Sequence, residues 1–172
     1  MSKPTNRQVE LRDLLEQLNL GGMAAIFAEV ALRAAKEHLT HEAYLWELAV
    51  HERDLRTQRR TARLLRASGL PVEKTFRTFD LGKLPALIQT QVERLKRGAF
   101  LESATNVVAV GRPGVGKSHV LAAVGYDLAC LGHPILWLPT STLVHRLLAA
   151  KRDLRLPQER GPARQVRLCH SR

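Results

Sequence analysis

Several familiar kinds of protein are excluded by what these 172 residues lack. Cys130 and Cys169 are the only cysteines. Two isolated cysteines make neither a disulfide framework nor a zinc site, and such usage suits a reducing cytoplasm. His38, His41 and His51 have no cysteines or carboxylates at metal-ligand spacing around them. No apolar run approaches the roughly 18 residues of a membrane span. The opening stretch, MSKPTNRQVE, is polar and has no apolar core of a signal peptide. The expectation is a soluble, cytoplasmic protein with no membrane partner. There is no internal repeat. Acidic residues are also scarce, with 16 Asp and Glu against 27 Lys and Arg, for a net charge of +11. That balance favours anionic partners such as nucleic acid, nucleotides or acidic membranes. The excess is concentrated after residue 75, where only six of the 16 acids fall.

Enough apolar residues remain, 45%, to build a core. Residues 1–70 read as helical. Thr5 and Gln8 form a capping-box pattern before Leu11, Leu14, Leu15 and Leu18 at helical spacing. Gly21-Gly22 is expected to break that helix. A second is expected from Met23 to about Glu37, and a third, capped by Thr40, to about Ala67. Ser68-Gly69-Leu70-Pro71 stops it. Residues 71–104 form a connector with a short helix from Ala86 to Arg97. Asn106–Val110 reads as a buried strand, Lys117–Leu131 as an amphipathic helix, Pro134–Leu138 as a second strand, and Ser141–Lys151 as a helix capped by Thr140. Trp46 and Trp137 are expected to fill cores. From residue 156 the chain has two prolines, a glycine and no clear period, so 156–172 is expected to be a disordered basic tail.

The most informative stretch is Gly111-Arg112-Pro113-Gly114-Val115-Gly116-Lys117-Ser118, which fits G-x-x-x-x-G-K-[ST] at every fixed position. Glycines allow positive φ, so successive N–H groups can point inward around a phosphate. The following helix offers its N-terminus to an anion. Lys117 can reach the outer phosphates of ATP, and the Ser118 hydroxyl can ligate Mg²⁺. His119 adjoins the loop and is counted with it, although a structural or exposed role is the favoured reading of this histidine. An expected strand before the loop and a helix after it imply an α/β domain with a parallel sheet, residues 105–155, behind the helical domain of residues 1–70.

The pattern NVVAVGRPGVGKSHVLAAVGYDLACLGHPILWLPTSTLVHRLLAAKRD resembles the IstB family of insertion-sequence transposition helper ATPases, of the AAA+ class and related to DnaC-type helicase loaders. LRDLLEQLNLGGMAA, the Arg-rich segment and KTFRTFDLGKLP agree with it. The resemblance covers about residues 8–155. It implies an ATP-binding, DNA-associated protein that assists a cognate transposase and assembles into an ATP-dependent homo-oligomer. It also places Phe76 and Phe79 near the adenine, although both suit a connector packed on a sheet. One part of the family pattern is absent, the apolar strand ending in Asp-Glu that positions Mg²⁺. Downstream of Asp153 the only acid is Glu159, with no apolar strand before it. No sensor residue or arginine finger is identifiable either. These features read as a C-terminally truncated or frameshifted copy with impaired or no hydrolysis; a short form that binds without turnover fits them too.

In HERDLRTQRRTARLLRASG, Arg53, Arg56, Arg60 and Arg63 recur at three- and four-residue steps and form one helical ridge, broadened by Arg59 and Arg66. Such a ridge suits phosphate backbones, with salt-dependent and sequence-independent affinity. A solvated charged face is the plain alternative. Leu48, Leu55 and Leu65 lie on another side, toward a core. A DnaC-like helicase loader and a nonenzymatic basic DNA-binding fragment are the rival readings of the whole chain.

Overall fold

The structure, a computed structural model, describes residues 5–103, 105–153 and 166–170. The chain divides into two compact units, Met1–Arg60 and Thr61–Arg172. The dividing point falls inside a continuous helix. Among the described residues, no helix is long and apolar enough to cross a membrane.

The first unit holds α1 (Asn6–Gln17), α2 (Gly21–Glu37) and most of α3 (His41–Ser68). The Thr5 N–H donates to Gln8 Oε1 at 3.0 Å, completing the capping box that starts α1. The Thr40 hydroxyl accepts the Ala43 N–H at 3.2 Å where α3 begins. Phe27, Val30 and Leu48 are buried together, with Leu15, Met23, Ile26 and Tyr44 against them. Of the four leucines at helical spacing in and just after α1, only Leu15 joins this cluster, while Leu11, Leu14 and Leu18 stay exposed.

Two expectations fail in this unit. Gly21 and Gly22 do not break the chain; they are the first turn of α2, and the reversal lies just before them, where Asn19 takes a φ of 58°. Trp46 does not fill the core and is 69% exposed. It stands two positions from buried Leu48, a separation of about 200° around a helix, so the two side chains point to opposite sides.

The second unit begins within α3, which ends at Ser68 with Gly69 at a φ of 70°. A 3₁₀ turn (Leu81–Lys83), α4 (Ala86–Lys96), α5 (Ala99–Glu102), α6 (Lys117–Cys130), β1 (Ile135–Pro139), α7 (Thr140–Arg152) and β2 (Val166–His170) follow. β1 and β2 pair in parallel, from Ile135 opposite Val166 to Pro139 opposite His170. The core joins Val92 of α4, Val124, Leu128 and Ala129 of α6, Ile135 of β1 and Val166 of β2, with Leu65, Leu70 and Phe76 packed on it.

The sheet therefore differs from the expected one. Asn106–Val110 is not a strand: it has no ladder partner among the described residues, and Val108 and Val110 are 80% and 90% exposed. A β-branched run becomes a strand only where a neighbour satisfies its backbone. Here β1 is paired instead with a segment of the expected disordered tail, whose residues 166–170 are β2. Residues 156–165 and 171–172 of that tail lie outside the described residues. No wider parallel sheet is present among the described residues. Thr140, expected to cap α7, is its first residue, and no side chain caps that end.

Candidate functional site

The glycine-rich segment emerges from an extended, exposed stretch and turns directly into α6. Gly114 and Gly116 have φ of 84° and 89°, the left-handed region that favours glycine. Gly116 stands immediately before α6, and no side chain caps that helix or adds an acid to its first turn. Its first N–H groups therefore meet no carboxylate among the described residues, and the helix dipole adds partial positive charge there. Gly111 to Val115 are exposed, whereas Gly116, Lys117, Ser118 and His119 are half-buried. Lys117 Nζ donates to Gly111 O and Arg112 O, both at 2.8 Å, so the lysine closes the loop on itself.

The two connector phenylalanines part ways. Phe76 packs on the core of the second unit, with Lys96 Nζ 4.9 Å from its ring centroid. Phe79 lies at the loop. Its ring centroid is 4.9 Å from that of His119, and a Cβ built on Gly116 would fall 2.6 Å from Phe79 Cε2. Glycine at 116 thus meets two requirements, the positive φ and the close approach of an aromatic ring. His119 Nε2 is 3.1 Å from Thr75 O and 3.3 Å from Thr78 Oγ1. Connector, loop and helix start are joined at this corner. The sequence pattern offered no sign of the two threonines.

The arginine ridge lies on α3, and all six of its members are exposed. They differ in what they touch. Arg56 Nε donates to Glu52 Oε1 at 2.7 Å, and Arg56 Nη2 donates to Asn19 O at 2.9 Å. Arg53 pairs with its neighbour Asp54 at 2.8 Å. Arg53, Arg56 and Arg60 line an open cleft of about 390 Å³ with Met23, Ala49, Glu52 and Thr57. Arg59, Arg63 and Arg66 continue the exposed side chains of the helix toward its C-terminus.

Glu52, which the charge pattern treats only as an offset to the ridge, is 5% exposed. Its Oε2 accepts the Gly22 N–H at 2.6 Å and the Met23 N–H at 3.1 Å. Leu20, at the N-cap position of α2, offers no side-chain acceptor, so a carboxylate from α3 serves that helix end. Burial pushes its pKa up, but the Arg56 hydrogen bond and the Met23 and Gly22 N–H donors outweigh burial and hold it below the ordinary value. Among the described residues, no group of three or more His, Cys, Asp or Glu could hold a metal ion.

A glycine turn in the left-handed region, a lysine folded over it and a serine in the first turn of the next helix mark the phosphate-loop class of nucleotide-binding proteins. Within that class the chain belongs to the family of IstB-like ATP binding proteins, whose model matches residues 13–167. It is similar to a Pseudomonas aeruginosa protein named for ATP binding in insertion sequence IS21. The two are 32% identical over 150 residues, covering 87% of this chain and 57% of that protein. A Sinorhizobium fredii protein, named likewise for an insertion sequence, is 32% identical over 150 residues, covering 87% of this chain and 50% of its own length. A Geobacillus stearothermophilus protein named for insertion sequence IS5376 is 24% identical over 149 residues, covering 87% and 59%. The chain thus spans 50% to 59% of the length of these three relatives.

Proposed function

We propose that this chain is an ATP-binding helper of insertion-sequence transposition, acting on DNA beside a cognate transposase. The observation that carries the reading is the glycine turn of residues 111–118 set against an uncapped helix start. Backbone N–H groups of the loop and of α6 would hold the phosphates, and Lys117 would leave its two carbonyls to meet their charge. The fit to ATP is good where the triphosphate sits, because a positive-φ glycine turn leads into an N-terminus with no acid in its first turn. Phe79, beside Gly116, would be the connector residue that meets the nucleoside. Phe76, packed on the core, supports the connector instead.

Mg²⁺ would come with the triphosphate and gain one protein oxygen from Ser118. When bound, it neutralises phosphate charge. The carboxylate that normally positions this ion and the water-orienting residue of a hydrolase have no counterpart in the sequence after Asp153. The chain's own residues accordingly support nucleotide binding.

DNA would lie along α3. Arg59, Arg63 and Arg66 are the cations of the ridge for which no ion pair is seen among the described residues, and they suit backbone contacts without base reading. ATP would act as the switch, favouring association of copies on DNA. A DnaC-like loader would use the same loop with a helicase as partner. The decisive experiment measures binding to a random-sequence duplex by fluorescence anisotropy, with and without Mg-ATP, for the wild type and Lys117→Ala. ATP-enhanced binding that the variant loses supports the reading. Binding that is salt-dependent, indifferent to ATP and unchanged in the variant replaces it with plain electrostatic attachment.

A further inference from the structure

His119 follows the loop serine, one turn short of the buried part of α6, and its ring is turned toward the connector. Thr75 O can only accept, so the 3.1 Å contact requires a proton on His119 Nε2. The same nitrogen lies 3.3 Å from Thr78 Oγ1. The one proton of the Thr78 hydroxyl is within reach of Glu73 O at 2.6 Å and of Thr75 O at 3.0 Å, and the hydroxyl oxygen accepts the Thr75 N–H at 3.2 Å. Residues 73–78 therefore form a turn tied on the inside by Thr78 and on the outside by His119. Phe79 leaves this turn at once. Its ring rests on His119, 4.9 Å between centroids and 46° between planes, and reaches Gly116.

From this geometry we infer that His119 is a positioning residue. It docks the 73–78 turn on the first turn of α6, and so fixes Phe79 as the wall of the phosphate loop on its nucleoside side. The inference rests on the reading of the loop as a nucleotide cradle. It assigns His119 neither phosphate contact nor chemistry. Its Nε2 is committed to the connector, and its effect on a ligand passes through Phe79. The consequence is a division of labour. Lys117 and the loop N–H groups set affinity for the triphosphate, while the His119 clasp sets the added affinity for the nucleoside.

The test compares Mg-ATP with inorganic tripolyphosphate by titration calorimetry, on the whole chain. His119→Ala is expected to weaken ATP about tenfold, the scale of one lost hydrogen bond and its packing, and to leave tripolyphosphate within about twofold. His119→Gln keeps a donor close to the Nε2 position and is expected to recover most of the ATP affinity. Thr78→Val, which removes the hydroxyl without touching α6, is expected to follow His119→Ala and covers the case in which that variant does not fold. Equal weakening of both ligands, or ATP binding unchanged in both His119→Ala and Thr78→Val, overturns the inference and leaves the cradle standing. Wild-type chain that binds neither ATP nor tripolyphosphate overturns the cradle and the inference together.

Discussion

Helices α2 and α6 both have a glycine at their start, and their N-termini are treated in opposite ways. At α2 the donors of Gly22 and Met23 are met by the buried carboxylate of Glu52, thirty residues further along the chain. A Cβ on Gly22 would sit 2.7 Å from Glu52 Oε2, so the missing side chain is what lets the acid in. At α6, Gly116 likewise clears space, but an aromatic ring enters it, no side chain caps the helix, and the first turn has no acid. The electrostatics of the two ends are alike, since both present unsatisfied N–H groups and a positive dipole end. One receives its anion from the fold and the other is left to receive it from solution. The same local device thus serves as a structural joint in the first unit and, on the proposed reading, as a binding element in the second.

The largest test of this contrast is removal of the built-in anion. Glu52→Ala strands Arg56 and two helix N–H groups, and is expected to lower stability by about 3 kcal/mol in urea unfolding. The pH dependence follows from the direction of its shift. The folded-state pKa of Glu52 lies below its ordinary value of 4.5, so its stabilisation is complete above that value. It is lost as pH falls through the depressed folded pKa. The stability gap between wild type and Glu52→Gln should therefore be open at neutral pH and close in acid. A gap that is constant with pH would mean that the charge of Glu52 does not matter.

Next in size is Lys117→Ala. Loss of this cation is expected to weaken tripolyphosphate and Mg-ATP about a hundredfold, seen as loss of the ligand-induced rise in melting temperature. The unliganded melting temperature should change little, because Lys117 is bonded only to exposed loop carbonyls. A smaller effect, about tenfold on Mg-ATP, is expected for Gly116→Ala. The new methyl must coexist with a φ of 89° and with Phe79, and calorimetry reads the result.

The smallest effects concern the ridge. Arg59→Ala and Arg63→Ala should each weaken duplex binding about threefold and lower the salt slope by about one. Arg56→Ala should chiefly lower stability, because Arg56 is tied to Glu52 and Asn19. Reduced DNA affinity in Arg56→Ala at unchanged stability would erase the distinction between structural and solvent-facing arginines.

The parts of the chain legible in sequence are those governed by local rules. The capping box at Thr5, the glycine stop after Ser68 and the glycine pattern of the loop each depend on residues a few positions apart. What was not legible depends on distant partners. Asn106–Val110 has the composition of a strand, but composition cannot say that β1 pairs with Val166–His170. Trp46 is large and apolar, yet the helix phase set by Leu48 turns it outward. Glu52 sits in a charged run and is indistinguishable there from a surface acid; only the fold of α2 over α3 shows that it is a cap. Phe76 and Phe79 are three residues apart in one motif, and their separation into core and loop positions required the connector's path.

The grip of Lys117 on Gly111 and Arg112 also sets a threshold for entry. An incoming anion must exchange two charge-assisted hydrogen bonds for its own before it gains anything from the lysine. A single phosphate or a sulfate offers little beyond that exchange, whereas a chain of three phosphates adds contacts along the whole loop. On the proposed reading the tethered lysine would thereby act as a filter on ligand length, disfavouring small anions and admitting those long enough to repay the trade.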